Sequence, residues 1–453
     1  MNTDVLVIGS SAAGLVAATT GKRIYPDKGF LVITTQPKAM VPCGIPYVFG
    51  SVGSTDKNMM PIQQAFENSG IGFMQGKVVS IDRENKSVKL SNGDNVIYEK
   101  LILATGSTPS KAKWLKGASL ENVFVVPKEK EYIDKMQAKI KDSKKIITIG
   151  AGFIGVEVSD ELTKAGKQVT LIEKLPHILG LAFDEDIAIR AEELLKQRGT
   201  KVITDTGVSE IFGNGKVEGV LLENGEKIEA DAVVLSLGYN PNSSLASTSG
   251  LNVSSKGFIK VDEYMRTDDP NVFAIGDCAE KKDFITRKAI PLMLASTACA
   301  EARTAGMNLF KLFAIKTFSG TISIFATALG NTGFGVAGLR EKTAIQEGFD
   351  FVIGSSEGFD RHPKSFKDTH SQFVKLIVGK ESGVILGGEV YGGLSVGELI
   401  NTIGIIIENR MTLNSLLTAQ IGTHPLLTSS PVGYPLIKAA ENAASKMRFN
   451  GNR

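Results

Sequence analysis

The chain has 453 residues, of which 42% are hydrophobic and 22% are charged, and its formal net charge is +3. This length predicts two to four domains of an ordinary globular protein, and the small charge gives no reason to expect a nucleic acid or a membrane surface as a partner. The nearest candidate for a membrane-spanning run, residues 403–407, is far too short, and an apolar strand rather than a signal peptide begins near Val5. The sequence therefore predicts a cytoplasmic protein.

The first predicted elements form a strand–turn–helix–strand unit. A buried strand, a turn of small residues (9–14), a helix and a second apolar strand (30–33) follow one another. Small residues let the backbone approach a pyrophosphate, and the helix N-terminus supplies unpaired N–H groups, so the turn predicts a dinucleotide site. Ser11 replaces the middle glycine of the turn. Thr34, Thr35 and Gln36 stand where a ribose-binding acid is expected, so a neutral hydroxyl or amide is predicted to make that contact.

A cysteine follows the second strand. Cys43 is one of three cysteines, and neither their number nor their spacing predicts a disulfide framework or a metal site. A glycine and two prolines surround it in residues 42–47, which predicts a loop or a helix start rather than a core position. A helix N-terminus would lower the pKa of the thiol and make Cys43 a nucleophile. The alternative is a buried and inert cysteine.

The strand–turn–helix–strand unit is repeated from residue 146. A strand, a glycine-rich turn (150–155), a helix through residues 156–165 and a strand at 168–172 follow one another. Glu173 ends the second strand. A carboxylate there accepts hydrogen bonds from ribose hydroxyls and repels a 2′-phosphate, so the predicted ligand is NADH rather than NADPH. Two copies in one chain argue against turns that only pack a helix on a sheet.

Three more predicted strands end where ligands bind in such sheets. The first ends in Ala104, Thr105 and Gly106, the second ends in Gly238, and the third delivers Asp277 to its carboxyl end. The alternative for Asp277 is an exposed loop acid.

The order of these motifs resembles the pyridine nucleotide–disulfide oxidoreductase family, and the resemblance covers essentially the whole chain. It implies an α/β fold with two Rossmann-like dinucleotide-binding domains, one for FAD and one for NAD, and an α+β C-terminal dimerisation domain. The implied boundaries are residues 1–112 and 247–318 for the discontinuous FAD-binding domain, 113–246 for the NAD-binding domain and 319–453 for the dimerisation domain. A homodimer is expected, with strands at residues 373–378 and 383–387 in the last domain and the apolar helix at 396–407 facing a partner chain.

The resemblance also implies which residues bind the cofactors. The implied FAD-binding residues are Gly9, Ser11, Ala12, Ala13, Gly14, Thr34, Thr35, Pro42, Val78, Ala104, Thr105, Gly106, Gly276, Asp277, Pro291 and Leu292. The implied NAD-binding residues are Gly150, Gly152, Phe153, Ile154, Gly155, Glu157, Glu173 and Gly238. Asp277 would hold the ribitol of FAD, and the helix beginning near Pro291 and Leu292 would approach the flavin ring. Phe153 would either cover the flavin or pack in the core.

The residues near Cys43 indicate a branch of the family. Disulfide reductases of the family have a second cysteine five positions after the first, where this chain has Val48. The chain is therefore similar to the single-cysteine branch, and most similar to the coenzyme A disulfide and persulfide reductases. Family peroxidases and oxidases have a histidine in the first turn, where this chain has Ala12, and this difference favours a sulfur acceptor.

The predicted function is the NADH-dependent reduction of a disulfide, persulfide or polysulfide through a redox-active Cys43, with coenzyme A-linked compounds among the candidate substrates. Two alternatives stay open. One is an NADH oxidase that reduces O₂, and the other is an electron-transfer flavoprotein in which Cys43 is structural.

His424 is the second predicted catalytic residue. The His-Pro pair at 424–425 is similar to the general acid–base that larger family members donate across the dimer to the active-site thiol, and an imidazole suits the protonation of a leaving thiolate. The coenzyme A enzymes have a Tyr-x-Pro-Pro segment near the C-terminus, which this chain lacks, and a surface or capping histidine is the alternative. Cys278 and Cys299 are expected to be packed rather than reactive.

Overall fold

The computed structural model describes residues 1–313 and 318–449. Residues 314–317 and 450–453, which fall within the boundaries predicted for the FAD-binding and dimerisation domains, lie outside the described residues. No helix in the two described ranges is long and apolar enough to cross a bilayer.

The first part of the chain forms a mixed sheet, here called the first sheet. Its elements are β1 (Asn2–Ile8), α1 (Ala12–Ile24), β2 (Phe30–Thr34), the 3-10 helices Pro42–Gly44, Pro46–Phe49 and Thr55–Asn58, α2 (Ile62–Asn68), β3 (Gly72–Gln75), β4 (Val78–Asp82), β5 (Ser87–Leu90), β6 (Asn95–Leu103) and β7 (Ser107–Pro109). Strands β3, β2, β1 and β6 run parallel in that order, and β5 and β4 continue the sheet antiparallel. The central strand β1 is buried from Val5 to Ile8, which explains its continuous apolar sequence.

The next part of the chain forms a parallel sheet, here called the second sheet. This part of the chain contains β8 (Val123–Val125), α3 (Lys130–Lys141), β9 (Lys145–Ile149), α4 (Phe153–Lys164), β10 (Gln168–Ile172), α5 (Glu185–Gln197), β11 (Lys201–Ile203), β12 (Val208–Phe212), β13 (Gly219–Leu222), β14 (Lys227–Glu229), β15 (Ala232–Leu235) and β16 (Tyr239–Pro241). Strand β16 belongs to neither large sheet and pairs with β7 in a separate two-stranded sheet. The parallel order is β11, β10, β9, β15 and β8, while β12 to β14 form a separate antiparallel sheet. Helix α4 begins three residues before the predicted start at 156.

The chain then returns to the first sheet. This segment contains α6 (Ser244–Thr248), β17 (Val272–Ala274), the 3-10 helix Gly276–Cys278, β18 (Lys281–Lys282), β19 (Ala289–Ile290) and α7 (Ala295–Met307). Strand β17 pairs in parallel with the end of β6. Helix α7 lies against α1 so closely that a Cβ atom placed on Gly306 would lie 2.8 Å from the carbonyl oxygen of Ala17. The two segments on either side of the second sheet therefore share one core.

The last part of the chain is an antiparallel sheet with helices. Its elements are β20 (Phe325–Leu329), β21 (Thr332–Gly338), α8 (Glu341–Gln346), β22 (Phe351–Phe359), β23 (Ser371–Gly379), β24 (Ile385–Gly392), α9 (Val396–Glu408), α10 (Leu413–Leu417) and α11 (Pro435–Phe449). The strand order is β20, β21, β24, β23 and β22. Strand β23 includes the predicted 373–378, whereas β24 begins two residues after the predicted 383.

The helix predicted to face a partner chain packs one face on its own sheet. Leu399, Ile400 and Ile403 of α9 are buried in the same core as Val374 and Val390 of the sheet. These helix residues recur at the spacing that places side chains on one face, so the apolar face is already covered. The opposite face, which includes Ile405, is exposed, so the contact of residues 396–407 with a partner chain stays a prediction.

Candidate active site

A cleft with a volume of about 1290 Å³ joins the carboxyl ends of strands from both sheets. Ends of β1, β6 and β17 border it on one side, and ends of β9, β10 and β15 border it on the other. Ligands of open α/β sheets bind at this edge, and a typical small-molecule pocket measures roughly 300–1,000 Å³. The cleft is therefore large enough for more than one ligand.

The first glycine turn (residues 9–14) forms one wall of the cleft. Gly9 has φ +108°, and a Cβ atom placed on it would lie 2.2 Å from the carbonyl oxygen of Ala104, so only glycine fits there. Ser11, the N-cap residue of α1, makes no side-chain cap hydrogen bond within the described chain. The first N–H groups of α1 are thus free to bind an anion. Gly14 packs against Gly9, where a Cβ atom would lie 1.9 Å from the Gly9 carbonyl oxygen, and it does not itself line the cleft.

The residues after β2 carry the neutral side chains predicted to contact a ribose. The Ser10 hydroxyl donates a 3.0 Å hydrogen bond to Oγ1 of buried Thr34. Thr35 and Gln36 are exposed and line the cleft together with Thr34. The hydroxyl of Thr34 is therefore already bonded within the protein, and Thr35 and Gln36 present the free polar side chains.

The second glycine turn (residues 150–155) forms the opposite wall. Gly150 has φ +95°, and the space around Gly152 is open, because no atom lies within 4 Å of a Cβ atom placed there. Gly155 packs against Gly150 as Gly14 packs against Gly9, and it too lies outside the cleft lining. Helix α4 starts directly after Gly152 and directs its N-terminus at the cleft.

A carboxylate stands at the end of β10, at the rim of the second glycine turn. Oε2 of Glu173 accepts a 2.6 Å hydrogen bond from the N–H of Ala151, and Oε1 accepts one of 2.9 Å from the N–H of Leu175. The neighbouring Lys174 places Nζ 3.0 Å from Oε1 of Glu223. The ammonium group beside Glu173 therefore already has a counter-ion.

Asp277 lies in the 3-10 helix after β17 and faces the cleft. Oδ2 accepts hydrogen bonds from the Ser107 hydroxyl at 2.7 Å and from Nζ of Lys128 at 2.6 Å. Burial acts to raise the pKa of Asp277, but the charge of Lys128, the hydrogen bonds from Lys128 and Ser107 and the charge of Lys281 together outweigh it, and the pKa is lowered. Lys128 also lies 5.5 Å from the centre of the Tyr239 ring. This lysine was missed in the sequence, because it belongs to no motif and reaches Asp277 from the loop before α3.

Cys43 lies in the 3-10 helix Pro42–Gly44 and is accessible from the cleft. It nevertheless lies deep enough that burial raises the pKa of its thiol. The negative charge of Glu157 raises this pKa further, while the positive charge of Lys128 lowers it. The expectation of a lowered pKa was wrong, because a three-residue turn has no multi-turn helix dipole to stabilise a thiolate. Neither Cys278, which is buried, nor Cys299, which is half-buried on α7, lines the cleft.

Glu157 and Phe153 of α4 also line the cleft. Burial raises the pKa of Glu157 to about 7, although the hydrogen bond from the Thr327 hydroxyl at 2.8 Å opposes the shift. The ring of Phe153 packs against Phe325 and Phe183, at centroid distances of 5.4 and 6.1 Å. Phe153 therefore both packs in an aromatic cluster and faces the site.

The other predicted site residues divide between the cleft and its surroundings. The cleft lining also includes Ala12, Ala13, Pro42, Ala104, Thr105, Gly106, Ile154, Gly238 and Gly276. Val78 lies outside it, in β4, where it pairs with Leu90. Pro291 and Leu292 also lie outside it, because α7 begins only at Ala295 and the residues directly before it, Met293 and Leu294, occupy the cleft.

His424 is exposed and does not line the cleft of its own chain. Its Nδ1 accepts a 3.3 Å hydrogen bond from the backbone N–H of Leu426. The backbone N–H of His424 donates a hydrogen bond to the hydroxyl of Thr428. Among the described residues, no group of three or more His, Cys, Asp or Glu side chains is placed to hold a metal ion.

Two glycine turns on facing sheet edges, with a cysteine in the cleft between them, define a dinucleotide-dependent oxidoreductase. The family model described as "Pyridine nucleotide-disulphide oxidoreductase" matches residues 3–302, and that of the family's dimerisation domain matches residues 324–433. The chain belongs to this family, whose members use FAD and NAD(P)H. The predicted family, fold class, enzyme class and cofactors are confirmed.

Some relatives of the chain are named as NADH oxidases and others as sulfur-compound reductases. An "NADH oxidase" of Methanocaldococcus jannaschii is 30% identical, over 98% of this chain and 99% of that protein. An "NAD(P)H coenzyme A polysulfide/persulfide reductase" of Pyrococcus horikoshii is 28% identical, over 97% and 98%. The solved structure of an NAD-dependent persulfide reductase from A. fulgidus is 29% identical with a TM-score of 0.90, and the match covers 99% of this chain and 84% of that chain.

The residues of the two turns fit the family's cofactors. The uncapped N-terminus of α1 suits the pyrophosphate of one dinucleotide, and the open space at Gly152 with the N-terminus of α4 suits that of the other. In both places a side chain at the first glycine would block the approach of the turn to the neighbouring strand.

Proposed function

We propose that this protein uses NADH to reduce a disulfide, persulfide or polysulfide, with coenzyme A-linked compounds among its substrates, and that Cys43 is the group that reacts with the substrate sulfur. The observation that carries the proposal is that Cys43 opens into the cleft bordered by both glycine turns, whereas the other two cysteines do not. The printed names of the P. horikoshii and A. fulgidus proteins support this choice of acceptor.

The chemistry follows from a thiol held among charged groups. The Cys43 thiolate attacks one sulfur of the acceptor, which forms a mixed disulfide and breaks the original sulfur–sulfur bond, and the departing thiolate takes up a proton. Two electrons from NADH then return Cys43 to the thiolate and release the second thiol, so that NADH, one proton and RSSR become NAD⁺ and two RSH. Bound FAD supplies the electron transfer between nicotinamide and sulfur.

The chain's own residues orient these steps. We infer that the first glycine turn, Thr35, Asp277 and the residues before α7 hold FAD, and that the second glycine turn and Glu173 hold the NADH. Lys128, which lowers the pKa of Cys43, favours its thiolate, while Glu157 opposes it. Lys174, the cation next to Glu173, is paired with Glu223 and is not free to bind a 2′-phosphate, and this supports NADH over NADPH.

Replacement of Cys43 by serine tests the proposal. Steady-state turnover is measured with coenzyme A disulfide, coenzyme A persulfide, polysulfide and O₂ as acceptors. Cys43→Ser is expected to lose at least about 100-fold in turnover with the sulfur acceptor while keeping bound FAD, because serine is far less nucleophilic than a thiolate. Cys299→Ser, which changes a half-buried cysteine outside the cleft, serves as the matched control and is expected to keep wild-type turnover. Equal turnover of every acceptor by wild type and Cys43→Ser would refute the proposal.

The alternative function is the reduction of O₂, which is the activity in the printed name of the M. jannaschii relative, whereas the names of the P. horikoshii and A. fulgidus proteins favour a sulfur acceptor. Excess NADH under air distinguishes the two functions. O₂ uptake that matches NADH consumption in the absence of a sulfur compound, with peroxide quantified, would assign the protein as an oxidase.

We also infer that the protein is a homodimer in which His424 acts on the Cys43 of the partner chain. The match to the dimerisation domain includes residue 424, and the exposed Leu426 and Leu427 beside it suit a protein contact. Mixing Cys43→Ser chains with His424→Gln chains tests the inference. If His424 acts across the dimer, mixed dimers contain one intact site and regain activity; if it acts within its own chain, they do not.

We further propose the domain boundaries 1–112 with 247–318, 113–246 and 319–453, and a cytoplasmic location. The membership of strands in the two sheets and the matched ranges 3–302 and 324–433 support the boundaries. Three cysteines without a disulfide, one of them in the cleft, suit a reducing compartment that contains NADH.

A further inference from the structure

A buried ion pair lies beneath the loop that carries Asp277. Nζ of Lys281 in β18 is 3.2 Å from Oε2 of Glu301 in α7, and both side chains are fully buried. Oε1 of Glu301 is buried without a hydrogen-bond partner in the described part of the chain. An apolar pair of similar volume commonly stabilises a protein as well or better, so stability alone gives a poor reason for this pair.

Both members of the pair bind the backbone of one residue, Gly276. Oε2 of Glu301 accepts a 2.7 Å hydrogen bond from the N–H of Gly276. Nζ of Lys281 donates to the carbonyl oxygen of the same residue, and also to that of Ala279 at 2.9 Å. The polar groups on both sides of the Gly276 Cα atom are therefore held by side chains, which fixes the two dihedral angles between them.

The conformation of Gly276 determines where the next residue points. Gly276 has φ +72°, and a Cβ atom placed on it would lie 3.0 Å from Cβ of Ala13 in the first glycine turn. Asp277 follows directly and turns its carboxylate towards Ser107 and Lys128 at the cleft. A change in the dihedral angles of Gly276 would move this carboxylate and the spacing between the two loops together.

We propose that Lys281 and Glu301 are positioning residues that set the affinity of the chain for FAD, because they fix Gly276 and, through it, Asp277. Neither side chain lines the cleft, so neither touches the ligand there. Both hold the backbone of Gly276, and the charge of Lys281 also lowers the pKa of Asp277. The proposal depends on the binding of FAD and not on the electron acceptor, so it stands or falls separately from the proposed reaction.

The test compares two double variants that remove both charges. Lys281→Met/Glu301→Gln keeps an oxygen that can accept from the Gly276 N–H, whereas Lys281→Met/Glu301→Leu does not. Neither leaves an unpaired buried charge, which is the usual cause of failed folding in single variants of an ion pair. The matched control is Asp160→Asn/Arg198→Met, which removes an ion pair of α4 and the end of α5 that lies outside the cleft and has an Nε–Oδ1 distance of 2.6 Å.

The dissociation constant for FAD is measured by dilution of the full-length holoprotein and the recovery of flavin fluorescence, and the Tm of the flavin-free protein is measured in parallel. The Met/Gln variant is expected to bind FAD about tenfold more weakly, and the Met/Leu variant about fivefold more weakly again, because hydrogen bonds to Gly276 are lost in two steps. The control is expected to change Tm without changing the FAD dissociation constant.

A purely structural pair gives a different result. If the variants lower the Tm of the flavin-free protein but bind FAD within twofold of wild type, the proposal is overturned. Equal FAD affinity of the Met/Gln and Met/Leu variants would overturn the role of the Glu301 hydrogen bond to Gly276. If the Met/Leu variant does not fold, the Met/Gln variant and the control decide alone.

Discussion

The two glycine turns have the same backbone. Gly9 and Gly150, which open the turns, have φ values of +108° and +95°. A Cβ atom placed on the last glycine of either turn would lie 1.9 Å from the carbonyl oxygen of the first. Both turns start a helix at the carboxyl end of a buried strand, so each forms the same kind of anion site.

The side chains around the turns differ in charge. Two residues after the last glycine, α1 carries Val16 while α4 carries Glu157. At the end of the second strand, the first unit carries the neutral Thr34, whose hydroxyl is bonded to Ser10, while the second unit carries Glu173. The comparison shows that the two turns share one backbone geometry and that two side-chain positions give their surroundings different charges.

Replacement of the first glycine in each turn is expected to have the largest effect and to separate the two sites. A Cβ atom on residue 150 would lie 2.6 Å from the carbonyl oxygen of Ser236, in a conformation that L-residues avoid. Gly150→Ala is therefore expected to retain FAD but to slow flavin reduction by NADH about 100-fold. Gly9→Ala is expected to lose FAD itself. Flavin absorbance per chain and stopped-flow reduction measure the two effects.

Loss of FAD from Gly150→Ala would contradict this separation and show that the two turns depend on each other for folding.

The second largest effect is expected at Glu157 of α4, whose equivalent in α1 is the uncharged Val16. Glu157 has a pKa of about 7 in the folded protein, against 4.5 when exposed. As the pH rises from 4.5 to about 7, Glu157 gives up its proton in the unfolded chain before it does so in the folded protein, so the free energy of unfolding falls. This fall is complete above pH 7. Flavin-free Glu157→Gln is therefore expected to be more stable than wild type by about 2 kcal/mol at pH 8 and by much less at pH 5. Urea unfolding at both pH values measures the difference, and an equal gain at both would contradict burial as the cause.

The smallest expected effect concerns the end of the second strand. Glu173→Gln keeps an oxygen for the ribose but removes the charge that repels a 2′-phosphate. The KM for NADPH is expected to fall about tenfold and that for NADH to rise less than about threefold. The dissociation constant for FAD should not change, because Glu173 belongs only to the second turn. Steady-state kinetics with both nucleotides test this, and an unchanged ratio of the two KM values would exclude Glu173 as the determinant.

Much of this architecture was predictable because it is local in the sequence. The strands β1, β2, β9 and β10 and both turns are marked by apolar runs and glycines within short segments, and they lie where they were predicted. Close to α7, the predicted residues were displaced along the chain. Six apolar or small residues (289–294) precede α7, and no local pattern indicates that Met293 and Leu294, rather than Pro291 and Leu292, meet the cleft.

The features that the sequence did not indicate depend on contacts between distant segments. Lys128 meets Asp277 from a loop 149 positions away. The raised pKa of Cys43 results from its depth in the folded cleft and from Glu157 on α4. The covered face of α9 depends on the sheet that packs against it. None of these contacts has a local signature, because each joins elements that only the tertiary structure brings together.

The pairing of β17 with β6 has a consequence for how the chain is made. All strands of the second sheet lie within residues 123–235. The first sheet, in contrast, is complete only when Val272–Ala274 pairs with Leu101–Leu103. On the ribosome, the nucleotide fold that begins later is therefore the one that can be completed first. Until residue 274 has emerged, the buried end of β6 stays open on one side, and a nascent chain stalled before that point would present this edge to chaperones and proteases.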